Sequence, residues 1–362
     1  MSFLPAIAVL AVLILVHELG HFLAARLQGI HVNRFSIGFG PVLWKYQGKQ
    51  TEYALRAIPL GGYVGFPDND EDSKIPEDDP DLMKNRPILD RAIVISAGVI
   101  SNFVFAYLVL MLMVISVGVG SVDRPGVRVA KILNPDAPAA IAGLQTGDVV
   151  RSANGITFDT SLTTLEQFQG LIAKSANKPV DMDVDRDGKT LKITVVPQGE
   201  DNSGRIGVRL DFTGKPYRRP IRNIGEALTF AAKDFERLTL MTVQGLKQLA
   251  TNFQSTASQL SGPIAIVAIG SELVKSDASS LFDFTAIISI NLAIINILPL
   301  PALDGGQLVF LLIEALRGGK PLPDQIQENV MQGGLVLLLG LGVVMIFKDS
   351  FNLLQQSGLS PL

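Results

Sequence analysis

From Phe3 to Ala25 the chain is apolar except for three ionisable side chains, His17, Glu18 and His21. A segment of that length crosses a bilayer as a helix. A charge at the centre of such a helix costs roughly 2.5–3.5 kcal/mol on insertion scales, so groups of this kind face a protein interior or a wet cavity and have a function there. The residues fall in "HELGH", and on a helix positions i and i+4 share one face. Both imidazoles can therefore hold one metal ion, with the glutamate beside them as general base. The competing reading is a buried polar network that glues helices together. The run has no basic region before it and no small-residue cleavage site after it, so it is expected to be retained as a helix.

Three further stretches have spanning length: Ala92–Gly120, Phe284–Leu303 and Val330–Phe347. The 362 residues are 48% hydrophobic and only 18% charged, which points to a membrane protein carrying a soluble portion. A net charge of -3 gives no reason to expect a nucleic-acid partner. There is no cysteine, which excludes disulfides, thiol catalysis and thiolate metal sites, and two of only three histidines lie in the one motif.

In the second stretch Gly98 and Asn102 fall on one helical face, which suits either close helix packing or a substrate contact. The first two spans are separated by short β runs, "RFSIGFGPVLW" and "TEYALRAIPLGGYVGF", expected as a hairpin at the membrane interface, and by the acidic loop "PDNDEDSKIPEDDPD". Asp123–Phe212 alternates β runs with turns around one helix-like stretch, and its "AGLQTGDVVRSANG" resembles a PDZ domain. Asn223–Phe253 has helical apolar spacing and lies either on the membrane or against the PDZ-like region.

A catalytic zinc normally has three protein ligands, so a third is required. The third span ends "NILPLPALDGG", and prolines at 299 and 301 interrupt the helix, which is tolerated at membrane depth only where backbone lines a cavity or packs in protein. Asp304 is the only carboxylate in that broken stretch.

"HELGH", "RFSIGFGP", "IPLGGYV", "LSGPIAI" and "NILPLPALDGG" together resemble the site-2 protease family of intramembrane zinc metalloproteases, in particular the regulator of sigma-E protease group. The resemblance implies Zn2+ on His17, His21 and Asp304, with Glu18 activating water. It implies a strand near Gly61 and Gly62 that offers an edge to an unwound substrate, and Asn296 holding the substrate chain; Asn102 joins these as a candidate substrate contact. It also implies cleavage within or near transmembrane segments, releasing a membrane-held signalling protein or clearing signal-peptide remnants. The best-known members carry two tandem PDZ domains and this chain has room for one, so control of access does not carry over.

The expected architecture is an α-helical membrane protein with four transmembrane helices, a membrane-associated β hairpin region and one inserted mixed α/β PDZ-like domain. Residues 1–121 hold spans one and two, 122–213 the PDZ-like domain, 214–280 an amphipathic helical linker, and 281–362 spans three and four. Arg26, Arg34, Lys84, Arg86 and Arg91, with Arg317 and Lys320, place two short loops in the cytoplasm, so the PDZ-like domain is expected to be extracytoplasmic; the resemblance implies a bacterial inner membrane, with the active site toward the cytoplasmic side. The expected partners are the lipid bilayer, transmembrane substrates and an upstream protease that trims them. Two readings from other classes compete: a metal transporter, which predicts metal flux and tolerance of Glu18→Gln, and a PDZ scaffold on a membrane anchor. Neither accounts for a general base beside two ligands.

Overall fold

A computed structural model describes residues 3–70, 73–200, 202–253, 261–276 and 278–356. Parts of the acidic loop (71–72) and of the expected linker (254–260 and 277) lie outside the described residues. The chain divides into two compact units, Met1–Met113 with Gly225–Leu362, and Val114–Ile224.

The first unit is built on helices. Among the described residues four are long and apolar enough to cross a membrane: Leu4–Leu27 (α1), Ile88–Val117 (α2), Ser279–Asn296 within α7 (Ala278–Asn296), and Asp324–Asn352 within α9 (Asp324–Gln356). The expected third span, Phe284–Leu303, is helical only to Asn296. Pro299 and Pro301 withhold backbone donors, the chain turns through Ala302 at φ 67°, and helix restarts as α8 (Asp304–Leu316).

Two further helices are found in this unit among the described residues. Ile224–Thr251 (α5) packs on α2, with the Phe235 ring edge-on to Phe103 at 5.8 Å, and Thr242 Oγ1 donates to Asn291 of α7 at 2.7 Å. The Asn223–Phe253 stretch, expected on the membrane or against the PDZ-like region, thus makes a contact neither expectation named, with α2 and α7. Pro263–Ser276 (α6), part of the expected linker, is instead an apolar helix in contact with α1, α7 and α9. Its start is capped by Asp349 of α9, whose carboxylate accepts from the backbone of Gly262 and Ala265 at 3.2 and 2.9 Å. Arg91 of α2 forms a buried ion pair with Glu314 of α8.

The expected hairpin is more folded than two strands. β1 (Arg34–Gln47) and β2 (Glu52–Gly65) each bend, with Gly38, Gly40 and Gly61 at positive φ. Arg34–Ile37 then pairs with Glu52–Leu55 in the same direction and with Gly62–Gly65 in the opposite one, while Val42–Gln47 doubles back on Glu52–Arg56. Four segments result, and Gly62–Gly65 is an edge with one neighbour among the described residues.

The second unit opens and closes on a ribbon, β3 (Val119–Val122) against β10 (Pro216–Arg219), antiparallel. Between them lie β4 (Val127–Ile132), the short helix α3 (Pro138–Ile141), β5 (Val149–Ala153), β6 (Ile156–Thr157), α4 (Thr164–Lys174), β7 (Val180–Arg186), β8 (Lys189–Val195) and β9 (Val208–Phe212). The sheet order is β8-β7-β5-β4-β9, with β6 on β5. In β7 "VDMDVDR" alternates strictly, so Val180, Met182 and Val184 enter the core, while Asp183 accepts from Ser152 and Asp185 from Arg151. On α4, Phe168 and Ile172 share a face, and Phe168 packs edge-on against Phe158 at 5.4 Å.

The "GLQTGD" turn is held by its own aspartate. Asp148 is buried, accepts from Gln145 N at 2.8 Å and receives both arms of Arg186 at 2.7 Å. Burial raises the Asp148 carboxyl, but the Arg186 and Gln145 hydrogen bonds outweigh it and leave the group below the usual carboxylate range. A depressed carboxylate contributes stability that is present above its unfolded value and lost as pH falls through the folded one. Hydrogen-exchange protection of β5 and β7 in the whole protein should therefore fall below about pH 4. Asp148→Asn should start with less protection at neutral pH and lose less across that window; parallel curves for the two proteins would exclude this role.

Candidate metal centre

His17 and His21 lie one turn apart on α1, which is long enough to bring them between α2, α7 and α8. Asp304 arrives from the far end of the chain because helix restarts there after the proline break. The three facing atoms form a nearly regular triangle: His17 Nε2 to His21 Nε2 is 3.2 Å, His17 Nε2 to Asp304 Oδ2 is 3.3 Å, and His21 Nε2 to Asp304 Oδ2 is 3.4 Å. Each side chain is only 12–13% exposed.

A tetrahedral zinc with ligands at about 2.0–2.1 Å would separate those ligands by about 3.3–3.4 Å, which is the triangle observed. Asp304 Oδ2 is also buried with no hydrogen-bond partner among the described residues. A buried carboxylate oxygen without a donor is costly, and a cation shared with two imidazoles satisfies it. The donor set of two nitrogens and one carboxylate, with no thiolate available, suits zinc with one position open.

The surrounding space is a cleft of about 570 Å³. Glu18 lines it, as do Gly61, Gly62, Tyr63 and Val64 of the β2 edge, Asn296, and Gln307 one turn beyond Asp304. Gly62 runs so close to the general-base candidate that a β-carbon there would stand 2.8 Å from Glu18 Cγ. The Asn296 amide nitrogen is 3.3 Å from His17 Nε2.

α2 forms the wall behind the two imidazoles. His21 Nδ1 lies 2.8 Å from the carbonyl oxygen of Val94, and an added β-carbon at Gly98 would run into both rings. Asn102, expected as a candidate substrate contact, is fully buried outside the cleft lining, with its amide 3.1 Å from His17 Nδ1. Its α2 position puts it behind the ligand ring. His31 lies apart, 3.5 Å from Asp79, and Glu314 is occupied by Arg91.

Val94 and Gln307 escaped sequence reasoning. A backbone carbonyl leaves no side-chain signal, whereas Gln307 follows from helical spacing, three residues after Asp304.

The family model for peptidase family M50 matches residues 5–341. The chain belongs to peptidase family M50. Relatives of this M50 protein include "Putative zinc metalloprotease all3971" of Nostoc sp., 58% identical over 98% of both chains, and "Membrane metalloprotease ARASP, chloroplastic" of Arabidopsis thaliana, 45% identical over 97% of this chain and 79% of that one. "Metalloprotease MmpA" of Caulobacter vibrioides is 30% identical over 94% of this chain and 93% of that one. A solved PDZ domain of an SdrC-like protein from Listeria monocytogenes is 24% identical over 25% of this chain and 90% of that chain, with a TM-score of 0.21. The M50 chain is a zinc metalloprotease, and its apolar helices agree with the membrane setting that the Arabidopsis relative's name gives.

Removing one ligand should open the triangle. Asp304→Ala is expected to lower the zinc content of the purified protein along with its activity, read by metal analysis beside a cleavage assay. Full zinc content with normal cleavage would reject Asp304 as a ligand.

Proposed function

We propose that this M50 metalloprotease cleaves peptide bonds within or near membrane-spanning segments, using His17, His21 and Asp304 to hold zinc and Glu18 as general base. One observation carries the reading: the metal triangle and its base are assembled on a helix of bilayer length, with the third ligand supplied by a broken span.

Zinc, when bound, supplies a Lewis acid that polarises a peptide carbonyl and acidifies water. The Glu18 carboxylate takes the proton from the attacking water and delivers it to the leaving amine. Asn296, on the cleft wall next to His17, holds the substrate backbone in register with the ligands.

A peptide bond inside a helix is shielded by its own hydrogen bonds, so a substrate span must unwind before attack. The Gly62–Gly65 edge, unpaired on one side and lining the same cleft, offers donors and acceptors to such a strand. Substrates with helix-weakening residues are therefore preferred.

The outer part of the β1–β2 sheet exposes Leu43, Trp44 and Tyr46, with the two aromatic rings stacked 6.4 Å apart. Apolar and aromatic side chains of this kind fit the headgroup level of a bilayer. α9 exposes Leu335, Val336, Leu337 and Leu339, as a lipid-facing helix does.

The Val114–Ile224 unit is read as a PDZ-like insertion on the extracytoplasmic side of a bacterial inner membrane, with the basic short loops in the cytoplasm. It would restrict entry to transmembrane substrates that another protease has already trimmed.

Glu18→Gln should reduce cleavage of a model membrane-spanning substrate by about 10²–10⁴-fold while zinc content stays at the wild-type level. Undiminished cleavage by that variant would end the protease mechanism proposed here.

Because the chain has no cysteine, single cysteines at Ser73 and Ser203 report topology cleanly. They should label from opposite sides of the membrane; labelling from one side would refute the placement of the insertion.

A further inference from the structure

The α2 wall makes different contacts with the two histidines. His21 Nδ1 faces a backbone carbonyl, Val94 O, an acceptor and nothing else. His17 Nδ1 lies 3.1 Å from Asn102 Nδ2, the donor end of an amide whose other end, Oδ1, is an acceptor. Asn102 is 0% exposed, its backbone carbonyl accepts from Ser289 Oγ at 2.8 Å, and its Oδ1 is buried without a hydrogen-bond partner among the described residues.

The chemistry of the ring decides which end of the amide belongs against it. His17 Nε2 points into the triangle with His21 and Asp304, so its lone pair is the one available for a metal. A neutral imidazole that ligates through Nε2 carries its proton on Nδ1. That proton needs an acceptor, and turning the Asn102 amide end for end puts its Oδ1 where Nδ2 now stands, 3.1 Å from the ring. The two ends of an amide have nearly the same shape, so the hydrogen bond and not the packing sets their order.

We infer that Asn102 is a positioning residue for the metal centre: its Oδ1 accepts from His17 Nδ1–H, fixing the ring and its tautomer as the Val94 carbonyl does for His21. Gly98, one turn before, allows both rings to reach this wall. Residues 94, 98 and 102 of α2 thus form one stripe that orients both nitrogen ligands from outside the cleft. Ser289 of α7 holds the same residue from the other side through its main chain. Outer partners of this kind typically contribute 10–100-fold in metal affinity.

The inference rests on the zinc site proposed above, and its test separates the two. Zinc affinity is measured by chelator competition on the full-length protein, with Asn102→Leu and Asn102→Asp beside wild type. An acceptor role predicts that Leu, similar in size but unable to accept, weakens zinc about 10–100-fold, while Asp, which only accepts, binds as well as or better than wild type. A packing role predicts the reverse order, with Leu harmless and the buried charge damaging, and that order would overturn the inference. A wild-type protein that binds no zinc would instead overturn the site itself.

If either variant fails to accumulate, the zinc-loaded wild type still answers through 15N spectra of its three histidines. His17 should show a protonated, hydrogen-bonded Nδ1 like that of His21. An unprotonated His17 Nδ1 would overturn the inference.

Discussion

Three ionisable groups brought together among apolar helices have to satisfy one another, and the first unit is organised around that requirement. Separately, His17, His21 and Asp304 would each carry a desolvation cost with little return. Together they make a donor set whose spacing suits one cation, and every neighbouring element is shaped by access to it. α1 supplies two imidazoles and the Glu18 carboxylate, α2 gives up a side chain at Gly98 so that the rings can approach, and α7 ends early so that α8 can begin at Asp304. The Arg91–Glu314 pair joins α2 to α8 away from the cleft. Losing one partner of such a pair leaves an uncompensated buried charge, a strongly destabilising change.

The same requirement separates what was legible in the sequence from what was not. His17, Glu18 and His21 could be grouped because helical spacing is local and because ionisable residues stand out in an apolar run. Asp304 could be added because two prolines forced a break beside the only carboxylate nearby. The Val94 carbonyl carries no residue-type signal, and the role of Asn102 depends on which element faces α2, a long-range fact that periodicity does not encode. Sequence alternation in β1 and β2 shows strands but not their bends, so it implies only a hairpin; the pairing of Arg34–Ile37 with two partners goes with the bends at Gly38, Gly40 and Gly61. α6 is not separable from a linker by sequence because an apolar helix of 14 residues is short for a span.

In the second unit the limits were different. Strand alternation in "VDMDVDR" gives both the core face and the polar face directly, and the "GLQTGD" turn announces a structured corner. What sequence could not supply is the partner of that corner: Arg186 closes on Asp148 from 38 residues away, and its approach depends on β7 lying beside β5.

The position of the metal centre along α1 has a consequence for the fate of a cut chain. His21 is six residues and His17 ten residues from Leu27, the end of the helix, which at the rise of an α-helix is about 9–15 Å. A hydrocarbon core is about 30 Å thick, so the centre lies between its midplane and the face on which α1 ends. An extended strand covers that depth with about three to five residues. The fragment leaving on that face would carry only a stub of its former span, too short to anchor it. The other fragment would keep most of its apolar length and stay behind in the lipid. On the proposed cleavage within a span, a single hydrolysis at this depth would sort its two products between phases, making one soluble and leaving the other embedded.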